Sequence, residues 1–348
     1  MKAVILVGGE GTRLRPITLM MPKPVTPVAN VPMMFYMLEW LKKYGIDEVI
    51  FVACYLPEKL RRVLGRTYKG IKLTYIYEDV PLGTGGAIKR AQKYMKGTTA
   101  VLNGDVITDF NIAKMLKFHK RSCSKATIGL YPVEDYSSFG VVELAADGSI
   151  KRFLEKPSRE ELDVDKANIN AGVYLLEPEV LDSMSAGKKY SIERDVFPGF
   201  VGHDFYGFAE ENIYWLDMGT PERLRKFTTD LLERNFPVYL SKDGKYTREK
   251  GARVLKPSLI GEGTRIGRNA VIGALNVIGR KCRIGEASVL ENCILFDNVK
   301  VGSYCTIKNA IICSKTEVMD HVQLLETSVI GPGSRITRYF KAGGKDQG

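Results

Sequence analysis

Ala3-Val4-Ile5-Leu6-Val7-Gly8-Gly9-Glu10-Gly11-Thr12-Arg13-Leu14-Arg15-Pro16 is the stretch that decides the fold of the first two thirds of the chain. A continuous apolar run ends abruptly in glycines, as a strand buried in a parallel sheet does. A glycine-rich turn directly after such a strand lets the backbone approach phosphates and present several N–H donors. The turn is not a P-loop, because no Gly-Lys-Ser/Thr follows it. Nor is it the dinucleotide fingerprint, which needs a third glycine where Leu14 stands. Arg13 brings a planar fork of donors and Lys23 a point charge, and the pair suits a polyphosphate.

Outward from this turn, residues 1–240 alternate strand and helix signals. Met33, Met34, Met37, Leu38 and Leu41 share one face of a helix over Met33–Tyr44, opened by Pro32 and stopped by Gly45. Strands are expected at Glu48–Cys54, Ile71–Tyr77 and Thr99–Leu102, with helices at Glu58–Leu64 and Gly86–Met95 between them. This alternation predicts a doubly wound, mostly parallel, Rossmann-like α/β sheet. Val141–Leu144 and Ser149–Leu154, joined by Asp147-Gly148, read as a hairpin. Asp204–Ala209 and Asn212–Leu216 read as a second one. Thr220-Pro221 caps a helix running to about Asn235, and the polar Ser241–Gly251 reads as a linker to a second domain over 251–338.

In that second domain the period changes. Ile260, Ile266, Ile272, Ile278, Ile284 and Leu290 stand six residues apart, and glycine follows at 261, 267, 273, 279 and 285. The phase slips and resumes at Val301, Ile307, Cys313, Met319 and Leu325, then slips again to Ile330 and Ile336. A six-residue step scatters aliphatics around a helix but places one on each flat side of a β-helix. The pattern resembles the left-handed parallel β-helix of the hexapeptide-repeat proteins. A β-helix leaves its last coil open, so a homo-oligomer assembled through it is expected.

The chain has 348 residues, 45% hydrophobic and 26% charged, enough for two cores. No apolar run is long enough for a membrane span, and the six cysteines contain no C-x-x-C pair, so a reduced, cytoplasmic protein is expected. The net charge is +11, and residues 241–348 hold 18 Lys and Arg against 10 Asp and Glu. Without a run of five basic residues or interleaved aromatics, this excess argues for anionic small molecules or an acidic protein surface rather than nucleic acid.

Gly8-Gly9-x-Gly11-Thr12-Arg13-Leu14-x-Pro16-x-Thr18-x-x-x-Pro22-Lys23-Pro24 resembles the signature of the sugar-nucleotide pyrophosphorylases. Further segments resemble that family in its order: Pro81-Leu82-Gly83-Thr84, Asn103-Gly104-Asp105, Phe139-Gly140-Val141-Val142-Glu143, Glu155-Lys156-Pro157, Asn170-Ala171-Gly172 and Trp215-Leu216-Asp217-Met218-Gly219-Thr220. Ser191–Pro198 and the β-helix look most like the mannose-1-phosphate guanylyltransferase branch. The base loop runs Gly83-Thr84-Gly85-Gly86, where relatives commonly carry alanine in place of Gly85.

The resemblance implies attack by a sugar 1-phosphate on the α-phosphorus of a nucleoside triphosphate. It places Leu6, Gly8, Gly9, Gly11, Thr12, Arg13, Lys23, Pro81, Leu82, Gly83, Thr84 and Asp105 at the nucleotide. Gly140, Glu155, Lys156 and Asn170 fall at the sugar phosphate. Arg13, Lys23 and Lys156 are implied to be catalytic, and Asp105 and Asp217 to hold Mg²⁺. GTP with mannose 1-phosphate is the favoured pair. The alternatives are a glucose-1-phosphate uridylyl- or thymidylyltransferase, a bifunctional enzyme with acetyltransferase activity in the β-helix, and a silent sugar-nucleotide-binding subunit. His119, His203 and His321 form no cluster, and His321 is the one histidine in the repeats.

Overall fold

The computed structural model describes residues 1–158, 160–162, 164–210 and 212–343. The chain divides into two compact units that are not consecutive in sequence. The first takes Met1–Gly9 and Met37–Asp217; the second takes Glu10–Tyr36 and the chain from Met218 onward.

In chain order the strands before the repeats are β1 (Lys2–Leu6), β2 (Pro27–Val28), β3 (Val31–Pro32), β4 (Glu48–Ala53), β5 (Thr67–Tyr68), β6 (Ile71–Tyr77), β7 (Thr99–Asn103), β8 (Val106–Thr108), β9 (Ala126–Val133), β10 (Gly140–Leu144), β11 (Ile150–Glu155), β12 (Ala167–Leu176), β13 (Phe205–Ala209) and β14 (Trp215–Asp217). The helices are α1 (Met33–Lys43), α2 (Pro57–Leu64), α3 (Gly83–Ala91), α4 (Ile112–Arg121) and α5 (Pro221–Leu232).

The first unit is built on a ten-stranded sheet, ordered β11-β10-β12-β7-β1-β4-β6-β5, with β9 on β12 and β13 on β9. Its centre is parallel: β1 pairs with β4 and β7, and β4 with β6. These strands are near-continuous apolar runs because both faces are covered. Val4, Ile50, Val52 and Val101 are wholly buried together with Ile88 and Ala91 of α3. β10 and β11 form the expected hairpin.

The second expected hairpin does not form. β13 pairs in parallel with β9, and β14 pairs antiparallel with β8. The Tyr214 carbonyl accepts from Thr108 Oγ1 at 2.8 Å, and its N–H donates to Asp109 Oδ1 at 2.7 Å, which fastens β14 beside β8. Alternating apolar residues mark a strand but do not choose its partner. The helix expected from Gly86 begins at Gly83 instead. Gly85 N–H donates to the Tyr190 carbonyl, and a Cβ there would lie 3.0 Å from Tyr190 Cβ and 3.1 Å from Ile192 N. Glycine at 85 therefore makes room for the 190–192 segment rather than loosening the loop.

The second unit holds a three-faced, left-handed parallel β-helix with faces of six, six and five strands. Ile260, Ile266, Ile272, Ile278, Ile284 and Leu290 are all inward. Each coil turns at corners held in the left-handed backbone region, such as Asn269, Asn292, Asn298 and Asn309, a conformation asparagine tolerates. Buried polar residues close the corners. Thr264 Oγ1 donates to the Gly279 carbonyl and accepts from Cys282 N–H, and Ser288 does the same for Gly302 and Cys305.

Two readings need correction here. Past Ile307 the inward residues are Ile312, Val318 and Leu324, not Cys313, Met319 and Leu325, because Ile312 pairs with Ile330 and Val318 with Ile336. Residues 241–251 are not a free linker. Ser241 is buried, Gly244 N–H donates to the Ile260 carbonyl, and Thr247–Arg248 pairs with Arg265–Ile266 as the first coil.

Candidate functional site

The sequence-expected positions of the first unit gather at the strand ends. β1 delivers Leu6, Gly8 and Gly9, while β7 runs into Asn103-Gly104-Asp105. Gly104 N–H donates to the Leu6 carbonyl at 2.9 Å, and a Cβ at 104 would sit 2.6 Å from that oxygen, so only glycine lets the turn close on β1. Ligands sit at this carboxyl edge in open parallel sheets.

Asp105 and Asp217 are 112 positions apart in sequence. The β8–β14 pairing places Asp217 opposite Val106, the residue after Asp105. Asp217 is 8% exposed. The Asn103 side chain lies against Gly172, where a Cβ would come within 2.7 Å of Asn103 Nδ2 and where φ is +70°. Trp215 Nε1 donates to the Ala171 carbonyl at 2.9 Å. The three motifs carrying Asn103, Asn170 and Asp217 therefore touch one another.

Among the residues expected at the sugar phosphate, Glu155 stands across from Gly140 in the hairpin, and Lys156 N–H donates to the Phe139 carbonyl at 3.0 Å with φ of +56°. Burial raises the Glu155 pKa, and Glu193 raises it further, against the pull of Lys156 and Arg194. Asn170 Oδ1 accepts from Gly172 N–H, and Asn170 Nδ2 donates to Tyr174 OH. Tyr131 stacks on the Trp215 indole at 5.1 Å, with Phe139 edge-on at 5.6 Å.

In the base loop, Thr84 Oγ1 donates to Glu193 Oε2 at 2.7 Å and accepts from Ile192 N–H. Ser191 Oγ donates to the same oxygen at 2.8 Å. Pro81, Leu82 and Gly83 lead into α3, and the Leu82 carbonyl accepts from Tyr190 N–H.

Gly11, Thr12, Arg13 and Lys23 belong to the second unit. There the chain makes short turns at Thr12–Leu14, Ile17–Leu19 and Lys23–Val25. Gly11 has a φ of +64°, Arg13 is exposed, and the Lys23 stem is buried against the Gly11 Cα.

Two residues escaped the sequence reading. Glu193 ties the base loop to Tyr174 and so to Asn170. Glu78, 6% exposed, follows β6 beside Gly8, with its Oε1 atom making no hydrogen bond. Burial raises its pKa, against Arg90 and the Leu82 N–H. A carboxylate just past an apolar strand is the signal that marked Asp105, and it applied equally to Glu78.

His119 is buried between Thr127 and Glu177, and burial lowers its pKa. His321 is sandwiched between Tyr304 and Tyr339 at 5.2 and 5.0 Å. His119 is tied to the Glu177 carboxylate at 3.2 Å inside the fold, and His321 packs between two rings. Among the described residues, no helix is long and apolar enough to cross a membrane.

A glycine-rich turn after β1, two aspartates brought together by the β8–β14 pairing, and Glu155 and Asn170 in the neighbouring strands suit an enzyme that handles phosphate-bearing substrates. Residues 2–234 match the nucleotidyl transferase family, and residues 237–341 match the EIF2B subunit epsilon LbH domain. The chain belongs to the nucleotidyl transferase family. The mannose-1-phosphate guanylyltransferase of Mycobacterium tuberculosis is 34% identical over 313 residues, covering 88% of this chain and 82% of the relative. Mannose-1-phosphate guanylyltransferase 1 of Arabidopsis thaliana is 34% identical over 354 residues, covering 98% and 89%. Among solved structures, HddC from Yersinia pseudotuberculosis complexed with GMP-PN superposes with a TM-score of 0.57 at 28% identity, covering 66% of this chain and 98% of that one.

Nucleotidyltransferases of this family generally use divalent metal ions. The donor set fits one. Asp105 and Asp217 offer hard carboxylate oxygens, and no group of three or more His, Cys, Asp or Glu forms a closed cage among the described residues. A hard divalent cation suits two such carboxylates, since ions of this kind bind through oxygen donors.

Proposed function

We propose that the protein transfers guanylyl from GTP to mannose 1-phosphate, giving GDP-mannose and pyrophosphate. The observation that carries this reading is full-length likeness to guanylyltransferases of that specificity, covering 82% and 89% of the two relatives. Glu78 supports the base. Guanine offers N1–H and its 2-amino group as adjacent donors, which a carboxylate can accept together. Uracil and thymine offer a single N–H between two carbonyls, a poor match for an acceptor-only group.

The chemistry brings two anions together, so the chain supplies positive charge to each. Arg13 and Lys23 bind the triphosphate, and Arg13 stabilises charge on the departing pyrophosphate. Lys156 orients the sugar phosphate, whose oxygen attacks the α-phosphorus in line with that leaving group. Glu155 and Asn170 take sugar hydroxyls, with the backbone around Gly140, whose missing side chain lets Glu155 and Phe153 lie close against it. Asp105 and Asp217 would hold Mg²⁺, which when bound neutralises charge on the phosphate oxygens. No side-chain nucleophile is required. The β-helix assembles copies of the chain in this reading. One of its faces carries Val271, Val289, Thr306 and Gln323 in register, a largely uncharged ladder. Cys282, Cys293 and Cys305, free thiols buried in the core of the repeats, suit a reducing cytoplasm.

The test is a matrix of GTP, ITP, UTP and dTTP against mannose and glucose 1-phosphates, with pyrophosphate release as readout. GTP with mannose 1-phosphate should give the highest kcat/KM. A preference for UTP or dTTP with glucose 1-phosphate overturns the reading.

A further inference from the structure

We propose that the β-helix supports the phosphate-handling loop of its own unit: its Gly331 turn braces the loop that carries Arg13 and Lys23, and Gly331 is a positioning residue for the triphosphate. The inference rests on the reading that these two cations meet the triphosphate.

The first observation is what surrounds the glycines of the repeat. At Gly261, Gly267, Gly279 and Gly285 a Cβ would meet the backbone of the next coil at 2.4, 2.9, 2.6 and 2.3 Å, so stacking of coils explains them. Gly331 has no such neighbour. A Cβ there would meet Pro16 instead, at 3.3 Å from its Cβ and 3.7 Å from its Cγ. The φ of Gly331 is not in the left-handed region, so backbone conformation does not explain the glycine either. What glycine at 331 provides is close approach of the Pro16 ring.

The second observation is how Pro16 is joined to the charged residues. It lies between the turns Thr12–Leu14 and Ile17–Leu19, whose Leu14 and Ile17 are both buried. Thr18 Oγ1 donates to the Gly11 carbonyl at 2.8 Å. Thr18 Cγ2 and Lys23 Cβ lie 3.1 and 3.4 Å from where a Gly11 Cβ would be. Movement of Pro16 is thus passed to Gly11, Arg13 and Lys23 through a packed turn that has little slack.

The far end of the segment is tied to the same domain. Asn30 Nδ2 donates to the Ile278 carbonyl at 2.8 Å, and Ser241 Oγ donates to the Ala29 carbonyl at 2.6 Å. The segment Glu10–Tyr36 is therefore held at Pro16 by one coil and at Ala29–Asn30 by another, which is why it groups with the repeats and not with the strand it follows. A site that must aim two cations at developing charge gains from such a support, because small misplacements weaken electrostatic complementarity.

The experiment uses the full chain and substitutes Gly331→Ala and Gly331→Val, with exposed Lys315→Ala as control. Readouts are equilibrium binding of GTP, KM for each substrate and thermal unfolding. The expected result is a graded loss of GTP affinity, reaching about tenfold in the valine variant, comparable to one charge-assisted hydrogen bond. The KM for the sugar 1-phosphate and the unfolding midpoint should stay near those of the parent. If the valine variant does not fold, the alanine variant, which asks Pro16 to move only slightly, decides. Arg13→Ala is run in parallel. If it leaves GTP affinity intact, the assignment of the triphosphate to this loop fails. If it weakens GTP while both Gly331 variants bind normally, the brace is overturned.

Discussion

Replacing Arg225 with methionine should unfasten α5 from the β-helix. The guanidinium of Arg225 donates through Nη1 to the Asn292 carbonyl and through Nη2 to the Asn309 carbonyl, each at 2.6 Å. These acceptors are corner residues one coil apart, bridged by Asn292 Nδ2 donating to Asn309 Oδ1. Burial lowers the Arg225 pKa, the mark of a charge taken partly out of water. A hydrogen bond to a charged donor contributes about 1.5–3 kcal/mol net, and recovering the buried guanidinium's hydration offsets part of the two lost bonds. The net cost is then about 2–4 kcal/mol. With a urea m-value of about 2–3 kcal/mol/M, the midpoint of the second unit falls by about 1 M. Far-UV circular dichroism reads both units, whereas tryptophan emission comes from Trp40 and Trp215, both in the first. The dichroism transition should move down more than the emission transition. Arg225→Lys should fall between, since one ammonium cannot fork to two carbonyls. A dichroism midpoint within about 0.2 M of the parent, under about 0.6 kcal/mol, would refute the reasoning.

Two other outcomes are expected. Asp105→Asn and Asp217→Asn should each remove most metal-dependent turnover with little change in unfolding temperature, because an amide is a poor ligand for a hard dication; near-normal pyrophosphate release from either purified variant removes that residue from the metal pair. Glu78→Gln should raise the unfolding temperature at neutral pH while narrowing the preference for GTP over ITP. The sign follows from its raised carboxyl pKa. The folded state holds the proton more tightly than the unfolded chain, so ionisation at neutral pH costs stability, and that cost is relieved as pH falls toward the ordinary value of 4.5. The glutamine variant should lose this gain on acidification, and an unchanged pH profile of stability counts against it.

What was legible in the chain depended on whether a feature leaves a local pattern. The β1 turn and the first six inward aliphatics of the repeat are periodic or punctuated, so they could be located to within a residue. The phase past Ile307 could not. Ile311, Ile312 and Cys313 are all apolar, so the five-residue step had three equivalent places to fall, and only pairing of Ile312 with Ile330 chooses among them. The link between Asp105 and Asp217 has no spacing rule and came from family resemblance. Glu193 was passed over because its work is done through Thr84 and Tyr174, which no sequence interval connects. The adherence of Glu10–Tyr36 to the repeats rests on a proline against a glycine and on side chains donating to distant carbonyls. Such contacts have no period to read.

The same three-residue strand sets both Asp217 and the ring cluster beside Asn170 in the first unit. β14 offers β8 only Trp215 opposite Thr108, Leu216 opposite Ile107 and Asp217 opposite Val106. A slip of one residue would send Asp217 to the other face and turn Leu216 out of the core. So short a ladder cannot hold its own register, and the pins lie outside it. Tyr214 is gripped through its carbonyl by Thr108 and through its N–H by Asp109. Trp215 is gripped at Nε1 by the Ala171 carbonyl, with its indole stacked on Tyr131 and met edge-on by Phe139. Ala171 lies next to Asn170, and Phe139 next to Gly140. A change that shifts the Tyr131–Trp215–Phe139 ring cluster must therefore also shift the carboxylate of Asp217. The setting of Asn170 and the setting of Asp217 are two ends of one packed contact rather than separately adjustable parts.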